Sequence, residues 1–367
     1  MRVSVGSMTR PDARHLLTLG LLTLVLLTAG AGQAAAHGRS GESTNFLSVI
    51  LNTPDHEGVT WEIYGGDQML AVTNTSDTEI TVTGYQEEPY LRVGPDGVFE
   101  NRASEAAYVN TERYGEVGEI PGDVGPDQEP RWTKVSDDST YAWHDYRIHW
   151  MSTQLPPMVV DTSVETLINP WEVPYQYGDE PAKIQGELRW LPPPSPVPWL
   201  GAAALLTAPA LLGLRARRDG QGWIKALIRP AALVLLVVAV LNITHLIDDF
   251  LAIPAPLTTQ LVAGVQTALF IAIGLFGAVV GLRGREGAFT ALGVGSAGIL
   301  VGQGILYLSA LRSAATVSVF PGWSTRLIIA LSLLQALWVG AVAIIGNRRL
   351  AAAETAEAEQ PTEVSAS

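Results

Sequence analysis

Residues 143–150 contain more side chains capable of chemistry than any other stretch of this chain. They include two of the six histidines, His144 and His149, together with the carboxylate of Asp145 and the guanidinium of Arg147. Imidazole and carboxylate groups are ligands of transition metals. Because the chain has no cysteine, a metal bound here needs histidine, carboxylate, backbone or methionine ligands. The spacing therefore predicts a metal site around His144, Asp145 and His149.

The backbone conformation of this stretch decides which of its side chains can act together. In a regular β-strand alternate residues share a face, which places His149 with Asp145 and His144 with Tyr146. The two histidines then point in opposite directions, and only a bulge or a bend could bring both to one site. A purely structural alternative is that Asp145 and Arg147 form an ion pair and that the histidines are satisfied polar residues of the core.

A second group of ionisable residues lies inside an apolar run. His245 and Asp249 are four residues apart, so they share one face of a helix. Ionisable side chains at membrane depth are costly and by default mark a functional site. The alternative is that both lie at the membrane interface, where the cost is small. The sequence thus predicts His245 and Asp249 as a second pair of candidate metal ligands.

Residues 199–346 are mostly apolar and are predicted to form a membrane domain. They contain five apolar runs, whose lengths are close to the roughly 20 residues that a helix needs to span a bilayer. Lysines and arginines flank these runs chiefly on alternate sides, and the flanks rich in them are predicted to be cytoplasmic. Residues 347–367 are small, acidic and polar, which predicts a disordered cytoplasmic tail. We therefore expect a multi-pass protein of the cell membrane in contact with the lipid bilayer.

Residues 37–190 are predicted to form an extracytoplasmic β-domain, which a proline-rich linker at 191–198 joins to the membrane domain. Apolar and polar residues alternate there, as at 59–63 and 184–190, with the period of two that is typical of half-buried antiparallel strands. Short strands and turns of this kind favour an all-β domain with an immunoglobulin-like sandwich. The prolines within 155–177 predict an irregular segment.

The first 36 residues have the features of a secretory signal peptide. A basic start precedes a short apolar run, and small residues precede the predicted cleavage site after Ala36. Cleavage there leaves His37 at the N-terminus. The α-amine and imidazole of such a residue can chelate one metal, and with a second imidazole they form a three-nitrogen site suited to Cu(II). Alternatively, the first 36 residues are retained as a signal anchor, or cleavage falls a residue or two away and His37 is an ordinary terminal residue.

Charge and motifs narrow the class of function. Residues 37–194 carry 27 Asp and Glu against 9 Lys and Arg, and an acidic surface repels nucleic acid. The sequence has no phosphate-binding loop, nucleophile elbow or zinc-protease motif. We therefore expect neither a nucleic-acid partner nor an enzyme. A copper monooxygenase with Tyr146 near the axial position is a disfavoured alternative, because membrane anchoring does not suggest one.

The architecture, His37 and the later imidazole–carboxylate group resemble the CopC/CopD type of bacterial copper-handling protein. The resemblance implies Cu(II) binding through the N-terminal amine and imidazole, a second histidine and an aspartate, here His37, His149 (or His144) and Asp145. Our first hypothesis is therefore an envelope protein that binds copper in this domain and passes it to the membrane helices at His245 and Asp249. The chain departs from that type in having a longer β-domain, fewer spans and no Asp-x-His spacing.

A second hypothesis from another class is a non-catalytic envelope protein. Its acidic β-sandwich would bind a partner protein or a component of the cell wall. This hypothesis predicts an exposed apolar or aromatic patch on the β-domain. The copper hypothesis predicts instead that His37 lies within reach of His149 or His144.

Overall fold

The computed structural model describes residues 43–111, 113–114, 119–217, 222–284 and 287–358. The predicted signal peptide and His37 lie outside the described residues. Within them, an antiparallel β region precedes five long apolar helices. This order of a β region and a helical region confirms the expectation from the sequence.

Two antiparallel sheets make up the β region. The larger has seven strands in the order β1-β10-β9-β4-β5-β6-β7, and the smaller has three in the order β2-β3-β8. The strands of the described chain are β1 Phe46–Asn52, β2 Val59–Tyr64, β3 Met69–Asn74, β4 Ile80–Thr83, β5 Pro89–Gly94, β6 Gly97–Asn101, β7 Trp132–Ser136, β8 Thr140–Trp143, β9 Thr166–Tyr177 and β10 Glu180–Trp190. A short helix, α1, spans Ala106–Val109.

Both sheets contribute to one buried apolar cluster. Trp61 and Trp143 come from the smaller sheet, and Tyr175 and Leu188 come from the larger one. The ring centroids of Trp61 and Tyr175 are 5.1 Å apart, which joins the two sheets directly. Aromatic side chains bury a large apolar area, so such contacts dominate the stability of a domain without disulfides.

Strand β9 contradicts the irregular segment that its prolines predict. Residues Thr166–Tyr177 form a continuous strand beside β10. On its other side β9 pairs with β4 only at Tyr175–Tyr177. Pro170 and Pro174 therefore lie where β9 is an edge on that side, and proline is tolerated at a sheet edge because no ladder hydrogen bond is lost.

In the described part of the chain, the helical region contains six further α-helices, which belong to five apolar segments long enough to cross a membrane. Their bounds are α2 Val197–Thr207, continued by a 3₁₀ helix Ala208–Arg215; α3 Trp223–Leu241 and α4 Ile243–Leu251, which form one segment; α5 Leu257–Arg283; α6 Ala288–Ile299, continued by a π-helix Leu300–Ile305 and followed by a 3₁₀ helix Leu308–Arg312; and α7 Gly322–Ala358.

The two ends of the helical region differ from the sequence prediction. Helix α2 begins at Val197, inside the predicted linker. Helix α7 continues to Ala358, so residues 347–358 are helical where a disordered tail was expected. The alanine, arginine, leucine and glutamate of this stretch are strong helix formers, and they extend a helix that the preceding apolar residues have already nucleated.

The β region also contacts the helical region through the residues just before β1. The backbones of Thr44 and Ala315 exchange two hydrogen bonds of 3.0 and 2.9 Å. Asn45 Oδ1 also accepts a hydrogen bond from the backbone N–H of Ala314 at 2.7 Å. Residues 313–320, which connect the fourth and fifth apolar segments, are thus bonded to the chain just before β1. We call them the 313–320 loop.

Candidate functional site

The chain leaves the small sheet immediately before the two histidines. Strand β8 ends at Trp143, and the Ile148 N–H donates to the Asp145 carbonyl at 3.0 Å, which closes a turn. As a result the imidazole centroids of His144 and His149 lie 6.3 Å apart, with the rings nearly perpendicular. The regular strand across residues 143–150 is therefore wrong, and the bend that a shared site requires is present.

Asp145 is fully buried and is occupied by an ion pair. Its Oδ1 accepts from Arg147 Nε at 2.8 Å and from the Arg147 backbone N–H at 3.1 Å. Its Oδ2 accepts from Arg147 Nη2 at 2.6 Å and from Trp143 Nε1 at 2.9 Å. Burial favours the neutral acid, but the Arg147 charge and these hydrogen bonds outweigh it and keep the Asp145 pKa below its usual value. The ion-pair alternative is confirmed, and a metal would have to displace Arg147.

His149 lies buried beside residues of the turn that follows β8. It is 3 % exposed, and neither ring nitrogen has a partner in hydrogen-bonding geometry among the described residues. Burial lowers the pKa of His149 to about 3, and the positive charge of Arg113 and the His144 ring lower it further, whereas the Arg113 backbone and the Asp145 carboxylate act in the opposite direction. The imidazole of His149 is consequently neutral near pH 7.

His144 is held in a defined orientation by the main chain. Its Nδ1 lies 2.7 Å from the carbonyl oxygen of Gln68. A carbonyl can only accept a hydrogen bond, so Nδ1 carries the proton and the lone pair of a neutral ring lies on Nε2. Metal-binding histidines typically have one ring nitrogen fixed in this way by a backbone carbonyl or a carboxylate.

A pocket of about 350 Å³ opens beside His149. Its lining combines aromatic rings, the Met151 side chain and part of strand β9: Tyr146, Arg147, His149, Trp150, Met151, Asn169, Pro170, Trp171 and Glu172. The ring of Trp171 lies over Gly186, where an added Cβ would overlap the indole and the Val49 carbonyl. Glycine at 186 therefore lets Trp171 pack flat and sets one wall of the pocket.

The second predicted pair lies in helix α4. His245 and Asp249 are both buried. His245 Nδ1 is 2.9 Å from Gln303 Oε1, and its ring stacks on Tyr307 with centroids 4.3 Å apart. Gln303 belongs to the π-helix, a distortion that often occurs at functional sites. The structure thus groups His245 with two polar residues that look isolated in the sequence.

Asp248, the neighbour of Asp249, attaches helix α4 to the 313–320 loop. Its carboxylate accepts from Ser318 Oγ at 2.8 Å and from the Val319 N–H at 2.9 Å. Polar contacts therefore extend from the start of β1, through the 313–320 loop, to the helix that carries His245. The sequence singles out Asp249 for its spacing from His245, whereas Asp248 makes these loop contacts.

The predicted metal ligands do not form a complete site within the described residues. In that part of the chain no group of three or more His, Asp or Glu side chains is arranged to hold a metal. The structure brings together His144 and His149, pairs Asp145 with Arg147 and Trp143, and places His245 and Asp249 in helix α4 of the helical region. Sequence reasoning missed Gln68, Arg113 and Trp171, which lie far from residues 143–150 and carry no local signal.

Comparison with known proteins does not assign the chain to a family. No protein-family model, no curated protein and no solved structure matches it. The likeness to the CopC/CopD type remains a resemblance of architecture and residue types alone.

Proposed function

We propose that this chain is a multi-pass membrane protein whose extracytoplasmic β-domain, an immunoglobulin-like sandwich, binds copper at His149 and His144. The observation that carries the proposal is the environment of His149. A buried polar group without a hydrogen bond costs about 1–3 kcal/mol, and a bound metal ion would supply the missing partner. The imidazole of His144 is the proposed second ligand, with its centroid 6.3 Å from that of His149.

The ligand set that supports copper is based on imidazole. With metal–nitrogen distances of about 2 Å, two imidazoles on one ion have centroids about 5–6 Å apart, which is close to the 6.3 Å between these rings. Neutral imidazole suits copper and other late transition metals. Asp145 is not part of the proposed set, because Arg147 and Trp143 occupy both of its oxygens. His37 is the proposed further contributor, through its amine and imidazole.

The membrane placement rests on the five apolar segments and on the distribution of lysine and arginine around them. The proposed orientation has the β-domain outside and the C-terminus in the cytoplasm. Transfer of copper from the β-domain towards His245 and Asp249 is the final part of the proposal. It is supported by the burial of both side chains in helix α4 and by the cost of burying ionisable groups without a function.

The test is a copper titration of the full-length protein in nanodiscs against a competing chelator. We expect His149→Asn to weaken binding by about tenfold or more, as loss of one ligand contact of about 1.4 kcal/mol or more requires. His56→Asn is the matched control, since His56 is another β-domain histidine, stacked on Tyr177. Equal affinities for the two variants would remove the basis of the proposal.

The contribution of His37 is tested separately with two preparations. One begins at His37 and the other carries one additional residue before it. An additional residue converts the α-amine to an amide, which cannot ligate through a lone pair in the same way. Tighter binding by the preparation that begins at His37 supports its role, whereas identical binding limits the site to His149 and His144.

A further inference from the structure

Residues 155–167 expose an unusual number of apolar side chains for a folded β-domain. Val160 is 92 % exposed, and four further residues are between 44 and 53 % exposed: Leu155, Met158, Val164 and Leu167. Single exposed apolar residues are normal, but several in one segment mark an interaction surface. We call residues 155–167 the 155–167 segment.

The 155–167 segment is hydrogen-bonded to the end of the β-domain that leads into the membrane helices. Trp190, the last residue of β10, donates from its indole Nε1 to the Thr162 carbonyl at 3.1 Å. Thr166 pairs with Trp190 in the sheet. Only the short proline-rich connection separates Trp190 from helix α2, which begins at Val197.

A second connection places the same end of the sheet against the helical region. Phe46 pairs with Trp190, and the Asn45 carbonyl accepts from the Leu191 N–H at 2.7 Å. One residue earlier, Thr44 is bonded to Ala315 in the 313–320 loop. The end of β10 that contacts the 155–167 segment therefore also lies beside the contact with the 313–320 loop.

The two acidic residues of the 155–167 segment are both exposed and hydrated. Glu165 forms an ion pair with Arg189 at 2.8 Å. Asp161 accepts hydrogen bonds from the hydroxyl and the backbone N–H of Ser163 and stays ionised. Apolar side chains next to hydrated charges suit the boundary between headgroups and acyl chains, where the charged groups remain in water.

We propose that the 155–167 segment rests on the outer leaflet of the bilayer, with Val160 and Val164 inserted at the headgroup boundary. This inference rests on the membrane placement in the proposed function but is independent of copper. The surrounding domain is acidic, so the contact depends on apolar insertion and does not require anionic lipid. A protein partner on the same surface is the alternative that the experiment distinguishes.

The absence of cysteine from the sequence allows single-cysteine labelling of the full-length protein. Val160→Cys and Val164→Cys, each carrying an environment-sensitive fluorophore, are compared in phosphatidylcholine nanodiscs with and without a lipid-borne quencher. Leu51→Cys is the matched control, because Leu51 is 62 % exposed and lies near the opposite end of β1. Leu233→Cys, at an exposed position of α3, reports on insertion of the helices.

We expect lipid quenching to reduce emission at 160 and 164 by about twofold, as a depth of roughly 5–10 Å implies, with emission at 51 unchanged. Quenching at 233 without quenching at 160 or 164 overturns the inference and leaves the membrane placement intact. No quenching at 233 contradicts the membrane placement itself. Formation of a specific protein adduct by a photoreactive group at 160 in native membranes, without lipid adducts, also overturns the inference.

Discussion

The stability of the β-domain should depend on pH through His149. In the folded state burial lowers the pKa of His149 from 6.5 to about 3. Between these values the unfolded chain binds a proton that the folded chain does not, so the free energy of unfolding falls as the pH falls. At pH 5 the loss is about 2 kcal/mol relative to neutral pH, because each pKa unit corresponds to about 1.4 kcal/mol.

The measurement is urea unfolding of the β-domain within the full-length protein, held in nanodiscs without added copper. Unfolding is monitored by tryptophan fluorescence at pH 7.5, 6 and 5. His149→Phe keeps a ring of similar shape but cannot bind a proton, so it should reduce the loss between pH 7.5 and 5 by about 2 kcal/mol. His149→Leu serves as a second variant if the phenylalanine packs poorly.

The difference between wild type and variant is the decisive quantity, because Asp67 titrates in the same range with the opposite sign. Burial raises the Asp67 pKa to about 6 despite its pairing with Arg113. The folded state therefore retains the proton of Asp67, and this group stabilises the fold as the pH falls. Identical pH profiles for wild type and both variants would refute the reasoning for His149.

Two further predictions concern the neighbours of His149. Asp145→Asn removes the counter-charge of Arg147 and should lower the free energy of unfolding by about 3–5 kcal/mol. Copper affinity, measured by titration, should not change. A large loss of affinity in protein shown to be folded would restore Asp145 as a ligand. Gly186→Ala forces Trp171 out of its position, so we expect the free energy of unfolding to fall by about 1–3 kcal/mol and copper binding to weaken. If neither the free energy of unfolding nor the copper affinity changes, the pocket wall formed by Trp171 can adapt to the added methyl group.

Much of the β-domain follows from local patterns in the sequence. Strand β10 is recognisable because Ile184, Leu188 and Trp190 are buried on one face, and its alternation is uninterrupted. Strand β9 is not recognisable, because its prolines argue against a strand unless the edge position is known. That position depends on pairing with β4, which lies about 90 residues earlier in the chain.

The bend after Trp143 had a local signal that the alternation of residue types concealed. Asp145 accepts a hydrogen bond from the N–H of Arg147, two residues on, which is the turn that aspartate commonly forms with its own backbone. The environment of His149 had no such signal. Trp171 and the other β9 residues of its pocket are brought there by the register of the sheet and not by neighbouring sequence.

The hydrogen-bonded pair of Thr44 and Ala315 has a mechanical consequence. A domain joined to a membrane region by a single linker can rotate in all directions, and a second attachment restricts that rotation. Here the second attachment lies beside the start of the linker, because the Asn45 carbonyl accepts a hydrogen bond from the Leu191 N–H. This end of the β-domain should therefore stay against the 313–320 loop, and tilting of the domain should displace its opposite end most.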